Sequence, residues 1–474
     1  MKIGKWVAIL FTVLLVSMFF FPFQFKAFMG QNTKNLMAAL GLVFVFMMFV
    51  YKRELSIPKE LIILLFLAGG VSIASYAAVV YNQTPDYSYV TYIRAAIIWL
   101  SAAFVPAVVI WLVHRRIDVK LVVNYLVAVC VFQCAMAMLI EFVPSVQRFV
   151  DAHIEQGQEM LKEMNRIYGV GASLDVAGSR FAVVLVAIAA LIDSELRSIK
   201  TGELYFYGVS FIVITVIGNM IARTTIIGVA VSGGLFLLRF AQNFFSRERK
   251  GNGKFWKVIS TTLLVLVPVV ILLYNAFPEF EDLMRFGFEG FFSFFEEGEF
   301  ETSSTNKLET MVVFPESLKT WIIGDGYFEN SRNDINYLGD STTEGFYMGT
   351  DIGYLRFIFY GGLILLVVIS SVMIYAGVIC ARKFPEYKMI FLLGIVVNFI
   401  VWIKVATDIF LFFCIFICAF IVKETLKDYE EIDEEEVDDG IGEEDVDEIE
   451  GIDNPDEETE MVPVFKYPRF IHRS

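Results

Sequence analysis

Basic side chains recur at the ends of long apolar runs, where a charge is unfavourable in a membrane-spanning chain. Four of them are arginines, each within about one helical turn of a run end that we assign to the outer side of the membrane. Lys404 interrupts a further run at the same depth. The arginines are Arg94, Arg180, Arg223 and Arg356. A single arginine can extend its head to the membrane interface, but a cation at the centre of a membrane helix costs about 2.5–3.5 kcal/mol. The recurrence at one depth therefore predicts a shared anionic ligand.

The chemistry of the guanidinium group narrows the class of that ligand. Its planar fork offers paired donors to phosphate and stays charged when partly desolvated. A ligand that meets arginine at the membrane surface should have a hydrocarbon tail in the lipid and a phosphate at the boundary. Lipid-linked sugars fit this description.

Carboxylates near these cations are candidates for acid–base chemistry. Asp351 precedes Arg356 by five residues across a helix start. It stands where a helix N-cap belongs, and a carboxylate beside a phosphate-binding arginine can alternatively act as the general base for an attacking hydroxyl. Asp325 is a second catalytic candidate, and the same loop holds Asp334, Asp340 and Glu344, each of which has a solvated loop residue as its alternative.

The composition identifies the elements that must position these residues. Of 474 residues, 57% are hydrophobic and only 19% are charged, too apolar a balance for a soluble domain. The net charge of −15 is misleading, because residues 428–460 contain twenty Asp or Glu and no Lys or Arg, so that the rest of the chain carries −15 + 20 = +5. We expect an all-α integral membrane protein with a disordered acidic tail.

Hydropathy predicts twelve membrane-spanning helices with both termini in the cytoplasm. The apolar runs are 6–23, 35–51, 60–82, 93–113, 121–143, 178–193, 204–219, 221–238, 258–276, 353–379, 389–403 and 405–423. Two stretches, 204–238 and 389–423, are too long for one crossing and are interpreted as hairpins. Lys and Arg concentrate in alternate loops, as the positive-inside rule requires. The first run lacks a small-residue cleavage site and is interpreted as an uncleaved span.

The chain is thus divided into four segments. Residues 1–276 hold spans one to nine, 277–352 form a large periplasmic loop, 353–423 hold the last three spans, and 424–474 form the cytoplasmic tail. The loop contains sixteen Asp or Glu against four Lys or Arg, and its first part, 277–300, holds nine Phe. That part lies on the membrane surface in one interpretation and forms a small lid packed on its own aromatic rings in the other.

Metal and redox chemistry have little support in the residue types. The five cysteines lie in or at the end of apolar runs, where a disulfide framework is not expected and packing as small hydrophobic residues is. The three histidines lack zinc-type spacing. We predict no metal and no cofactor, and nothing indicates nucleic-acid binding.

Several short segments, in their order, resemble one family. They are G-S-R-F-A (178–182), A-R-T-T-I-I-G (222–228), S-L-K-T-W-I-I-G-D-G (317–326) and T-D-I-G-Y-L-R-F-I-F-Y-G-G-L (350–363). Together with the number of spans and the place of the large loop, they resemble bacterial O-antigen polymerases of the Wzy type, within the superfamily that includes O-antigen ligases. The resemblance covers about residues 1–423, and the acidic tail lies outside it.

The resemblance implies a glycosyltransferase of the bacterial inner membrane with a GT-C-like polymerase/ligase architecture. It would polymerise undecaprenyl-diphosphate-linked repeat units into surface polysaccharide. Arg180, Arg223 and Arg356 match the diphosphate-binding role best, followed by Arg94 and Lys404. A chain-length regulator and a flippase are the protein partners that it implies, beside the lipid-linked donor and acceptor and the bilayer.

Three other interpretations stay open at this stage. A ligase is disfavoured because residues 277–352 contain no histidine, the residue that related ligases use in this loop. A flippase or other transporter would place ionisable groups at mid-span, where this chain offers only the neutral Gln133 and Asn398. A non-catalytic scaffold would act through the acidic tail.

Overall fold

The computed structural model describes residues 2–28, 31–52, 57–164, 166–196, 198–245, 252–330 and 345–438. Contacts divide the chain into one unit of residues 1–428 and a second of residues 429–474. Of the second unit, residues 429–438 are described, and they are helical. The carboxylates Asp334, Asp340 and Glu344 and most of the predicted acidic tail lie outside the described residues.

Helices dominate this part of the chain. In order they are α1 (Lys2–Phe20), α2 (Thr33–Lys52), α3 (Lys59–Asn82), α4 (Tyr92–His114), α5 (Val119–Phe142), α6 (Pro144–His153), α7 (Gln158–Glu163), α8 (Leu174–Glu195), α9 (Thr201–Ile221), α10 (Thr225–Phe245), α11 (Asn252–Ala276), α12 (Pro278–Gly287), α13 (Glu289–Glu297), α14 (Ser303–Thr310), α15 (Leu318–Ile322), α16 (Gly353–Lys383), α17 (Lys388–Val401) and α18 (Phe410–Asp438). Two short antiparallel strands, β1 (Gln24–Phe25) and β2 (Ile154–Glu155), pair beside α6.

Each predicted apolar run coincides over most of its length with one of these helices. Within the described residues, eight helices are long and apolar enough to cross a membrane, and α1 and α10 contain shorter apolar segments. This supports a multi-pass membrane protein, whereas the count of twelve spans and their orientation stay predictions. Both predicted hairpins are interrupted as expected, at residues 222–224 and at residues 402–409.

Helix α8 forms the centre of the bundle. In its apolar window 89% of the residues are buried, against 11% for α11, which lies at the periphery. It packs on α5, α9, α10 and α17. A side chain at Gly178 would meet the Cβ atoms of Ala222 and Thr224 at 2.9 Å, so this glycine lets the α9–α10 turn approach the start of α8.

Helix α16 is broken one third of the way along. Gly362 has φ 68° and ψ −170°, a conformation that is essentially restricted to glycine. Beside this break, the carbonyls of Phe359 and Tyr360 accept hydrogen bonds from the amides of Asp325 and Gly326, at 2.6 and 3.1 Å. The loop after α15 therefore completes the hydrogen bonding of a membrane helix.

The aromatic segment 277–300, after α11, has features of both the membrane-surface interpretation and the lid interpretation. Phe280 is buried in α12, and Phe291 packs edge-to-face against Phe300. Phe295, in contrast, is 82% exposed and Phe294 53% exposed. All five cysteines are free and buried, which confirms their predicted packing role.

Candidate functional site

The loops at one end of the bundle bring together the start of α8, the turn 222–224, the loop 402–409 and the start of α16. We call this end the site end. The amide of Tyr354 donates to the carbonyl of Trp402 at 3.2 Å, which joins α16 to the 402–409 loop. Gly353 lies directly against the carbonyls of Trp402 and Val405. The predicted hairpins thus converge on the first turn of α16.

A salt bridge ties three of these elements together. The Nζ of Lys404 lies 2.7 Å from Oδ1 of Asp175 in the first turn of α8 and 3.0 Å from Oγ1 of Thr224. The hydroxyl of Thr224 donates to the same carboxylate oxygen. Asp175 was not among the predicted site residues. Its spacing to Arg180 repeats the five-residue spacing of Asp351 to Arg356, and that repetition was the available signal.

Arg223 lies beside this salt bridge and is held by the large loop. Its Nη1 lies 2.5 Å from Oε2 of Glu289 in α13, and its guanidinium donates to the hydroxyls of Ser303 and Ser304 at 3.1–3.2 Å. Its Cζ stands 4.1 Å from the centre of the Phe286 ring. Segment 278–304 therefore covers Arg223 and gives it an acidic partner.

Arg166 is a second cation beside Phe286 and was not among the predicted site residues. Its Cζ lies 3.8 Å from the centre of the same Phe286 ring. Burial lowers the pKa of Arg166, and the repulsion between its guanidinium and that of Arg223 lowers it further. Arg166 lies in a loop rather than at the end of an apolar run, so the pattern that selected the other arginines did not include it.

Arg356 and Asp351 form the second part of the site. Nη1 of Arg356 lies 3.6 Å from Oδ1 of Asp351. The guanidinium stacks between the rings of Phe328 and Phe346, at 3.6 and 4.1 Å, and Nη2 donates to the carbonyl of Phe328 at 3.2 Å. The side chain of Arg356 is only 6% exposed. Its orientation is thus fixed by aromatic contacts rather than by a tight ion pair.

Asp351 does not act as the N-cap that its position allowed. The residue before α16 is Ile352, which makes no side-chain cap, and Oδ1 of Asp351 is buried without a hydrogen bond. Burial raises the pKa of Asp351 to about 6, and Arg356 opposes this shift. The next contributions come from Asp175, which raises the pKa, and from Lys404, which lowers it. Asp351 thus lies in the electrostatic field of both parts of the site.

Arg180 lies deeper than the other cations. It is 6% exposed on α8, with Cζ 5.6 Å from the centre of the Phe21 ring. The opposite charge that acts on it is Asp408, which is partly buried and also attracts Lys34. Arg180 therefore belongs to a separate charge group with Asp408 and Lys34.

The other two predicted residues form no ion pair with the cluster in the described part of the chain. Arg94 is exposed in the first turn of α4 and has no ion pair within the described part of the chain. Asp325 accepts from Lys319 at 2.9 Å and from Thr320 at 2.8 Å, and the hydroxyl of Tyr347 lies at 3.4 Å. These contacts place Asp325 in the packing of α15 against α16.

The arginines at the site end share an unsatisfied donor. The Nε atoms of Arg180, Arg223 and Arg356 are buried and make no hydrogen bond. A buried polar group without a partner costs about 1–3 kcal/mol, and more when it is charged. The Nε donors of Arg223 and Arg356, in the two parts of the site, can bind anionic oxygen atoms, and the Asp351 carboxylate beside Arg356 can accept a proton. No group of His, Cys, Asp or Glu in the described residues has the arrangement of a metal site.

The chain was compared with protein-family models, with curated proteins and with solved structures, and no match was found.

Proposed function

We propose that the chain is a membrane glycosyltransferase that polymerises undecaprenyl-diphosphate-linked oligosaccharide repeat units into surface polysaccharide. One observation supports this most directly: Arg223 and Arg356 retain buried, unpaired Nε donors at the end of the bundle that also holds Asp351, and Arg356 lies 3.6 Å from that carboxylate. Unpaired guanidinium donors fit the oxygen-rich diphosphate, and Asp351 fits the role of a general base.

The proposed reaction forms one glycosidic bond and breaks one sugar–phosphate bond. A hydroxyl oxygen of the acceptor repeat unit attacks the anomeric carbon of the donor, and Asp351 takes the hydroxyl proton. The bond between that carbon and the diphosphate oxygen breaks, and its electron pair leaves with the diphosphate. Arg223, Arg356 and Lys404 stabilise the leaving charge, which is the largest contribution that such a site can make.

The access of the donor to Arg223 depends on α13 in this proposal. Glu289 pairs with the Arg223 guanidinium. The diphosphate carries more charge than one carboxylate and displaces it.

Two further functions are weaker candidates. A transporter would place ionisable groups at mid-span, whereas the residues here are neutral, and Gln133 is used structurally: its Nε2 donates to Ser17 and to the carbonyl of Val170, and its Oε1 accepts from the amide of Val170, all at 2.8–2.9 Å. A ligase would use the same diphosphate chemistry with another acceptor, and lipid-linked polymer rather than single units would then accumulate without it.

The test is the polymer made by strains that carry Arg223→Ala or Arg356→Ala. We expect the loss of long-chain polysaccharide and the accumulation of single repeat units on their lipid carrier, while the protein still reaches the membrane. Arg239→Ala is the matched control. Arg239 lies on α10, the helix that follows Arg223, but it pairs with Asp193 at 2.7 Å near the far ends of α8 and α10. Normal polymer length in both site variants would overturn the proposal.

A further inference from the structure

Two arginines at the site end contact one aromatic ring of the large loop. Phe286 lies in the last turn of α12, and the Cζ atoms of Arg166 and Arg223 lie 3.8 and 4.1 Å from the centre of its ring. The two Cζ atoms are therefore no more than 7.9 Å apart, the sum of these distances. Like charges this close repel each other. The ring attracts each cation through its π face but carries no net charge to offset theirs, which an anion would do.

Arg166 combines a fixed backbone with an unpaired side chain. Two residues further along, Tyr168 is 2% exposed, and its hydroxyl donates to Asp151 at 2.9 Å. The amide of Val170 donates to Oε1 of Gln133 at 2.8 Å. The guanidinium of Arg166, in contrast, is partly buried and makes no hydrogen bond or ion pair with any residue that the structure describes. A partly buried charge that is held in place without a partner is a candidate for ligand binding.

The charges around the shared ring do not balance within the described residues. Three cations stand against two carboxylates, and each carboxylate is already engaged. Glu289 pairs with Arg223, and Asp175 pairs with Lys404. Both carboxylates attract Arg166 only from beyond ion-pair distance. One positive charge is therefore in excess beside the ring, and two would be in excess once Glu289 moved away.

We infer that Arg166 and Arg223 form a clamp in which each guanidinium binds one phosphate group of the carrier diphosphate, in the place that Phe286 occupies in this structure. The inference rests on the proposed function, because that function supplies the diphosphate. Guanidinium nitrogens and phosphate oxygens form charge-assisted hydrogen bonds of about 2.7–2.9 Å, and the planar fork of arginine can form two at once. The two phosphate groups share a bridging oxygen, so two guanidinium groups this close can hold one group each.

The clamp couples diphosphate binding to a movement of α12 and α13. Glu289 follows Phe286 by three residues, so the segment that withdraws the ring also withdraws the carboxylate that pairs with Arg223. Gly287 allows the closed position, because a Cβ atom there would lie 3.1 Å from the carbonyl carbon of Asn219. The ring and the carboxylate thus leave the two arginines together.

The test measures the binding of inorganic diphosphate and of inorganic phosphate to the full-length protein. Arg166→Ala should weaken diphosphate binding about tenfold, because it removes hydrogen bonds to a charged group, and should change phosphate binding much less, because Arg223 still binds one phosphate group. Arg166→Lys should restore part of the preference for diphosphate. Arg148→Ala is the matched control, since Arg148 lies in the same connection between α5 and α8 but its Nε donates to the carbonyl of Pro144 at 3.3 Å.

Phe286→Ala tests the position of the ring. It should tighten diphosphate binding about threefold, because the ring no longer competes for the guanidinium groups, and the gain should be smaller when Arg166→Ala is also present. Phe295→Ala is the control, since that ring is 82% exposed and contacts Phe294. Should Phe286→Ala fail to fold, Phe286→Leu removes the aromatic face and keeps an apolar side chain.

An unchanged preference for diphosphate over phosphate in Arg166→Ala, or an equal loss of both anions, would overturn the clamp. The proposed function would stand in that case if Arg223→Ala still weakened the binding of undecaprenyl diphosphate. A chain that binds neither inorganic diphosphate nor undecaprenyl diphosphate, with or without Arg223, would overturn the proposed function and the clamp with it.

Discussion

At the scale of single residues, the carboxylate and the guanidinium at the start of α16 have opposing effects on each other. Burial makes the Asp351 carboxylate more basic than usual, and Arg356 at 3.6 Å counteracts only part of that effect. A general base works best when its pKa lies near the operating pH. Asp351 therefore has the property that the proposed transfer requires, which a solvated aspartate lacks.

The rate of glycan transfer should depend on pH through Asp351. Its pKa is raised to about 6, so the ionised base is present above pH 6 and falls about tenfold for each pH unit below it. We expect an acid limb near pH 6 in the rate of polymerisation by the purified protein. Asp351→Asn should lower the rate about 10²–10⁴-fold and remove the limb.

Asp325→Asn distinguishes the two predicted carboxylates. Its carboxylate is bonded to Lys319 and Thr320, so this variant should retain the acid limb even where the loosened α15 reduces the amount of folded protein. A limb that disappears with Asp325→Asn and persists with Asp351→Asn would reverse the assignment of the base.

At the scale of elements, the large loop divides into a part that covers the site and a part that builds it. Segment 278–304 reaches Arg223 through Glu289, Ser303 and Ser304. Residues 317–330 instead bond to α16 and to the α3–α4 loop, where the amide of Phe328 donates to Asp86 at 2.7 Å. The first part can exchange with a ligand, whereas the second holds the aromatic residue that contacts Arg356.

Glu289→Gln should strengthen anion binding at Arg223. The variant removes a negative charge that competes for the guanidinium, and a partly exposed ion pair of this kind is worth up to about 1 kcal/mol, so we expect about threefold tighter binding of inorganic diphosphate. Glu296→Gln is the control, because Glu296 pairs at 2.9 Å with Arg285. Equal affinities for the two variants would show that Glu289 does not occupy the anion position.

Gly362→Ala should destabilise the protein. The added methyl group would lie 2.0 Å from the carbonyl oxygen of Ile322, in a backbone conformation that alanine avoids. We expect a cost of about 1–3 kcal/mol, measured as a fall in the thermal unfolding midpoint in detergent. Gly202→Ala, where a Cβ atom meets nothing within 4 Å, should not lower that midpoint, and a similar fall in both variants would contradict the role of the break.

The sequence predicts the helices but not how each helix is rotated about its own axis relative to its neighbours. Apolar runs predict helices because each run must be buried or face lipid, and alternating directions place Arg223, Arg356 and Lys404 at one end. The direction of each side chain around its helix depends on packing between helices. For that reason the depth of Arg180, the separation of Arg94, and the contacts of Asp175 and Glu289 were not predictable from spacing.

At the scale of the whole molecule, the described part of the chain combines a buried central helix, α8, with less buried helices such as α11. The site lies where α8 meets the turns before α10 and after α17, and its residues fall between Arg166 and Asp408. Removing residues 439–474 should therefore preserve polymer length and yield. Gel profiles of surface polysaccharide from the truncated and complete chains test this, and loss of polymer with normal membrane levels of the protein would favour the scaffold hypothesis.

The shared hydrogen bonds between Asp325, Gly326 and the broken helix α16 restrict which parts of the protein can move during a catalytic cycle. Residues 324–326 cannot swing outward without exposing two carbonyls inside a membrane helix, a penalty that the bilayer cannot relieve with water. In the proposed function, substrate exchange would then use residues 278–304, so that movement and support belong to different segments of one loop. A protease site introduced into α14 would thus free one end of the segment that covers Arg223 and leave the contacts of residues 324–326 with α16 in place.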